Sequence, residues 1–191
     1  MKHAFVLGGA LVAMFAVSFA PAGSSSRLPE PFRAEGIVIH HTATSDWMLG
    51  HPVDAAAIDK IHRSLGFGVS YRGRLISIGY HWLVFPNGLT ERGRPETLRG
   101  AHVRGDRNNE RLIGVALVGD FDSRSNPRGE FGRLRPTPEQ LLALQNLLRQ
   151  IVLRHPNARS VWLHSELCAT RCPGDRFSQI HRTVAIGQGG G

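Results

Sequence analysis

Residues 36–44 read GIVIHHTAT, an unbroken apolar, β-branched run that ends in two adjacent histidines. A run of this length bounded by polar residues reads as a buried strand. Successive side chains on a strand point to opposite faces, so His40 and His41 cannot both look into one site. Strand geometry alone leaves open which of the two does chemistry and which is structural.

Working outward, strands and helices alternate. Asp54 can cap a helix over AAAIDKIHRSLG, whose apolar spacing runs to a closing Gly66. Leu75 to Phe85, LISIGYHWLVF, reads as one long strand, with PNG as a tight turn and LTERG as a short returning strand. Another apolar strand runs from Leu112 to about Val118, and SRSNPRGEFGRLRP is a polar loop. Thr137, Pro138 and Gln140 form a helix start, with a cap, a proline in the first turn and a Gln three residues past the cap. The helix that follows, EQLLALQNLLRQIVLRH, spaces its leucines and Ile151 to pack one face on a sheet. SVWLHSE reads as a further strand and DRFSQIHRTV as a last short helix. The hairpin is antiparallel within an otherwise alternating chain. The expected fold is therefore α/β, a mixed central β-sheet flanked by helices, in a single domain spanning residues 34–184 with a flexible tail at 185–191.

Residues 1–22 have a cationic start at Lys2, an uncharged apolar stretch from Ala4 to Ala20, and Ala20 and Ala22 as an A-x-A cleavage site. This is the form of a secretory signal peptide. An uncleaved anchor is the alternative, although the run is short for a full span. Residues 23–33, small, polar and Pro-containing, read as a linker. The chain is expected to be secreted or periplasmic, a monomer, with no stable membrane span after leader removal.

The 191 residues carry 23 basic and 15 acidic side chains, a formal charge of +8. Such an excess favours a polyanionic partner: nucleic acid, a membrane surface or an anionic cell wall. Export and the lack of a basic block or basic-aromatic alternation argue against nucleic acid. The bland alternative is a generally basic, solvated surface.

The two cysteines, Cys168 and Cys172, lie in HSELCATRCPGD. A disulfide over so short a loop would constrain little of the chain. The competing use is a metal thiolate. His164 at a strand end, Cys172 ahead of PGD and one more histidine would give zinc three protein ligands and keep its fourth place for water. The spacing alone also fits a strand-end histidine and a buried thiol.

IVIHHTAT, IGYHWLV, GAHVRG, NNERLIGVALVGDF and HSELCATRCPGD occur in that order. Together they resemble the type 2 N-acetylmuramoyl-L-alanine amidase family, which includes the peptidoglycan recognition proteins. The resemblance covers roughly residues 36–177. It implies a Zn2+ ion held by His40, His164 and Cys172, with Tyr80 as an active-site tyrosine near the metal. It also implies peptidoglycan or muropeptides as partner, cleaved between N-acetylmuramic acid and L-alanine.

Thr170 matches a catalytic position where phage amidases carry Lys and animal recognition-protein amidases often carry Thr; Arg171 is out of register to replace that Lys. Ala116 stands where the fragment-recycling branch has a catalytic Glu. His102 and Asn109 match places that line the substrate groove, with a surface-loop role as the alternative. The residues VSYRGRLIS exceed what the family usually places there; they could lengthen a loop beside the groove, or the preceding helix could end elsewhere than at Gly66. Tyr71, within them, is a rival to Tyr80. His81 reads as a packed, hydrogen-bonded histidine, His62 as a half-buried polar residue and Cys168 as a free thiol. A non-catalytic peptidoglycan-binding module is the alternative function, kept open by Thr170 and Ala116. A copper electron carrier is the weaker third, since only Met48 could serve as an axial ligand.

Overall fold

The computed structural model describes residues 32–48 and 50–178. The leader, most of the linker, the end of the last helix and the tail lie outside the described residues.

In chain order the elements are β1 (Gly36–His41), β2 (Trp47–Met48), β3 (His51–Pro52), α1 (Ala55–Ser64), β4 (Val69–Tyr71), β5 (Arg74–Ile76), β6 (Trp82–Val84) and β7 (Thr90–Arg92). They continue with α2 (Asp106–Asn109), β8 (Leu112–Leu117), α3 (Pro138–Arg154), β9 (Ser160–Leu163), α4 (His164–Leu167) and α5 (Asp175–Ser178). Five strands form the central sheet in the order β7-β6-β8-β1-β9. β1 lies parallel to both β8 and β9, β6 is parallel to β8, and β7 closes the edge antiparallel to β6. The sheet is mixed, as the alternation and the hairpin together require.

Period-two alternation sorts the two faces of β1. Ile37 and Ile39 pack with Ile113, Val115 and Leu117 against Leu144, Leu148 and Ile151 of α3. Ala116 of β8 and Val118 just past it face the other way, clustering with Leu83 and with Ile58 of α1. Each buried Leu or Ile side chain contributes roughly 1.5–3 kcal/mol of transfer free energy. Both helix starts follow the sequence: Asp54 accepts from Ala57 N and Thr137 from Gln140 N. Gly66, at φ +77°, takes the left-handed conformation just past α1 that glycine accommodates without strain.

Two sequence expectations are corrected. The stretch from Leu75 to Phe85 is not one strand. β5 pairs with β4 in a separate hairpin turned at Arg72 and Gly73, both at positive φ, and only β6 joins the central sheet. Between β5 and β6, side chains replace ladder partners. Asp59 accepts from Ser77 N at 2.5 Å and Ile78 N at 2.8 Å, His62 Nδ1 accepts from Gly79 N at 2.8 Å, and Arg94 Nε donates to Ile78 O at 2.8 Å. SVWLHSE likewise stops being a strand at Leu163. The Glu166 carboxylate turns back to accept from Leu163 N at 2.6 Å, and His164 opens α4.

The Asp59 carboxylate thus holds the segment that carries Tyr80. Asp59→Ala strands two amide donors, so it is expected to cost about 1.5–3 kcal/mol of stability, the range for hydrogen bonds to a charged group. Urea unfolding measures it; an unchanged midpoint would contradict this role.

Candidate metal centre and substrate cavity

Three elements bring His40, His164 and Cys172 together. His40 sits near the end of β1 on the face opposite α3 and is 1% exposed. His164 begins α4 directly after β9, the strand beside β1, and its ring centroid lies 4.4 Å from that of His40. Cys172 follows α4, with Sγ 3.7 Å from His40 Nδ1, and accepts the backbone N–H of His41 at 3.4 Å. One ligand atom from each of the three residues lies within 4.8 Å of the others. Tetrahedral bonds of about 2.0 Å to nitrogen and 2.3 Å to sulfur put two such ligand atoms roughly 3.5 Å apart, close to the His40–Cys172 spacing.

The unpaired polar atoms of these residues suit a cation. Both ring nitrogens of His164 are buried and have no hydrogen-bond partner among the described residues. Leaving such a group unpaired costs roughly 1–3 kcal/mol, and a metal bond removes that cost for the nitrogen it uses. Burial pushes the Cys172 thiol up to about 12, so the thiolate forms only with a cation against it. Burial lowers His164 to about 4, with His41 adding to the effect, and holds His40 well below the ordinary histidine value, helped by His102 and His164. Both imidazoles are therefore neutral at pH 7, the form in which a ring nitrogen offers a lone pair. The residues present fit a metal ion with two nitrogen ligands and one sulfur.

His41, one residue on, faces the other side of the sheet. Its Nδ1 accepts from Phe121 N at 3.1 Å and lies 3.5 Å from Asp120. The alternation along β1 thus gives the two histidines separate jobs. The loop carrying Cys172 is tied down by Arg171, which donates to both oxygens of Asp122 at 2.6 and 2.5 Å. The Thr170 hydroxyl accepts from Cys172 N at 3.3 Å. Cys168 is a free thiol packed beside Val38 and Val103.

A cavity of about 750 Å³ adjoins these residues, lined among others by His164, Tyr80, His62, His102, Asn109 and Arg104. The Tyr80 ring lies 5.1 Å from His40. Burial, followed by the nearby Cys172, raises its phenol above the ordinary value, so Tyr80 stays a hydrogen-bond donor. Tyr71 sits on the β4–β5 hairpin with the Arg72 guanidinium 5.2 Å over its ring, while the base of that hairpin, Gly68 and Val69, forms part of the cavity wall. Ala116 is fully buried in the core.

His102 and Asn109 reach the cavity, but their polar atoms are used within the protein. Asn109 Oδ1 accepts from His102 N at 2.9 Å and Val103 N at 3.1 Å, and its Nδ2 donates to Val103 O at 2.6 Å. His102 bridges His40 Nε2, at 3.0 Å, and Leu112 O, at 3.1 Å. His81 is buried and hydrogen-bonded to Leu98 O and Gly114 N, as a packed histidine should be.

Sequence reasoning passed over Arg94. It is 2% exposed and its guanidinium donates to the carbonyls of Phe67, Ile78 and Arg99, drawing the cavity wall together. Nothing in its local sequence, ERGRPE, distinguishes it from the exposed Arg92 two residues before it.

The family profile described as N-acetylmuramoyl-L-alanine amidase matches residues 30–175. The endolysin of Klebsiella phage KP32 is 30% identical over 137 residues, 72% of this chain and 78% of the phage protein. The endolysin of Escherichia phage T7 is 28% identical over 139 residues, 73% and 80% of the two chains. Among solved structures, N-acetylmuramoyl-L-alanine amidase LysC from Clostridium intestinale URNW superposes with a TM-score of 0.61 at 29% identity, covering 80% of this chain and 86% of the other.

Proposed function

Because the chain belongs to the N-acetylmuramoyl-L-alanine amidase family, we propose that it cleaves the bond between N-acetylmuramic acid and L-alanine of peptidoglycan with a zinc ion held by His40, His164 and Cys172. The observation that carries the zinc is the orphaned pair of His164 ring nitrogens beside the half-buried Cys172 thiol and the neutral His40. Two imidazoles and a thiolate suit zinc, and three protein ligands leave a position open, the form of a catalytic site.

When bound, the ion supplies Lewis acidity and a water-derived nucleophile at neutral pH. The chain's own residues do the rest. The cavity holds the stem peptide with the scissile amide beside His164. Tyr80 donates its hydroxyl hydrogen bond to the amide oxygen as negative charge grows there. The Thr170 hydroxyl, which accepts from Cys172 N, keeps its own proton free to donate beside the ligand loop. The position of Ala116 offers no carboxylate, so no base comes from β8.

The leader-like residues 1–22 would carry the enzyme out of the cytoplasm to this substrate. Purified protein incubated with muropeptides is expected to release free stem peptide, detected by mass spectrometry. Release should stop with a chelator and resume with added zinc. No release in the presence of stoichiometric zinc would contradict the reading.

A further inference from the structure

The hydrogen bonds around His102 admit one consistent placement of protons. A backbone carbonyl can only accept, so the contact between His102 Nε2 and Leu112 O requires the proton on His102 Nε2. A neutral His102 then presents a bare lone pair at Nδ1, 3.0 Å from His40 Nε2. That lone pair must be met by a proton on His40 Nε2. The lone pair of His40 is thereby left on Nδ1, the atom that faces Cys172 Sγ. The opposite arrangement sets two lone pairs against each other at Leu112 O and puts a proton on the nitrogen facing the thiol.

The His102 ring is also held in a slot built for it. A Cβ on Gly114 would come within 2.6 Å of its Cγ and Cδ2, and one on Gly100 within 2.3 Å of Cδ2. Neither neighbour could be larger without displacing the ring. Asn109 holds the His102 backbone, and His81, edge-on to the ring at 77°, is itself fixed through Gly114 N and Leu98 O. The His102 ring and backbone are thus held from several sides.

We propose that His102 is a positioning residue: seated between Gly100 and Gly114, it fixes the proton of His40 on Nε2 and so presents His40 Nδ1 to the metal. This inference rests on the zinc site proposed above. Beside the groove-lining place implied for His102 by resemblance, it gives this residue a role exerted through a ligand. Outer partners of this kind orient ligating imidazoles and raise their basicity.

The test uses the zinc-loaded, isotopically labelled chain and a two-bond proton–nitrogen spectrum of its histidine rings. The expected spectrum shows His40 protonated at Nε2 and ligated at Nδ1. His102→Ala is expected to weaken zinc binding by about 10–100-fold, the usual cost of losing such a partner. Gly114→Ala, which leaves every ligand and His102 in the chain, should weaken it in the same direction. His102→Asn, whose amide oxygen falls near the place of Nδ1, should recover much of the affinity lost in His102→Ala. Wild-type protein that takes up no zinc overturns the proposed function and this inference with it. Zinc bound through His40 Nε2, or His102→Ala binding within about twofold of wild type, overturns the inference alone.

Discussion

Cys172→Ala is expected to reduce stem-peptide release below detection. Removing the thiol would take the sulfur from the proposed zinc site and leave His40 and His164 to hold the ion. Loss of an outer partner costs about 10–100-fold in metal affinity, and loss of a ligand should exceed that. A second readout separates this from misfolding. A metal that binds only the folded chain stabilises it by RT ln(1 + [L]/Kd), so the melting temperature of the wild type should rise with zinc. In Cys172→Ala that rise should vanish while the zinc-free protein still melts cooperatively, because the ladder contacts of β1 with β8 and β9 do not involve the thiol. A variant that keeps its zinc-dependent rise would show that the sulfur is not a ligand.

Tyr80→Phe is expected to separate binding from turnover. The ring packs against His40 and His62, each 5.1 Å away between centroids, and phenylalanine preserves that packing. Only the hydroxyl donor to the amide oxygen is lost. Removing one such donor costs about 10²–10³ in kcat. Zinc content and melting temperature should be unchanged, and KM should move far less than kcat. The raised phenol also fixes a sign: as pH rises, Tyr80 keeps its proton through the ordinary tyrosine pKa of about 10, so it adds no alkaline decline below that value. Steady-state rates of the two proteins across pH measure both effects. An unchanged kcat in Tyr80→Phe would remove this residue from the mechanism.

What the sequence made legible follows from how local each cause is. The β1 run, the Asp54 and Thr137 caps and the turn at residues 86–88 are decided by neighbours within a few positions, and each stands where the pattern puts it. The separation of His40 from His41 came from the same local rule, since alternation needs nothing beyond the strand. The break between β5 and β6 was illegible because its hydrogen-bond partners come from Asp59, His62 and Arg94, each about 15 or more positions away in sequence. A run such as LISIGYHWLVF carries apolar periodicity for a strand throughout, and only tertiary contacts interrupt it. Motif resemblance brought His102 and Asn109 to the cavity. It could not show that Asn109 spends its amide on the loop, or that His102 meets His40 from 62 residues away. Arg94 is the clearest omission, since a buried arginine whose partners are all backbone carbonyls leaves no signature in the one-letter code.

The most direct measurement is the zinc content of the purified, folded chain in three forms: wild type, His40→Ala and His41→Ala. His40 offers Nδ1 to the site, whereas the His41 ring turns to Phe121 and Asp120, and its backbone N–H to Cys172 survives the substitution. One zinc per chain is expected in the wild type and in His41→Ala, and none in His40→Ala. Zinc retained by His40→Ala, or lost from a folded His41→Ala, would contradict this expectation.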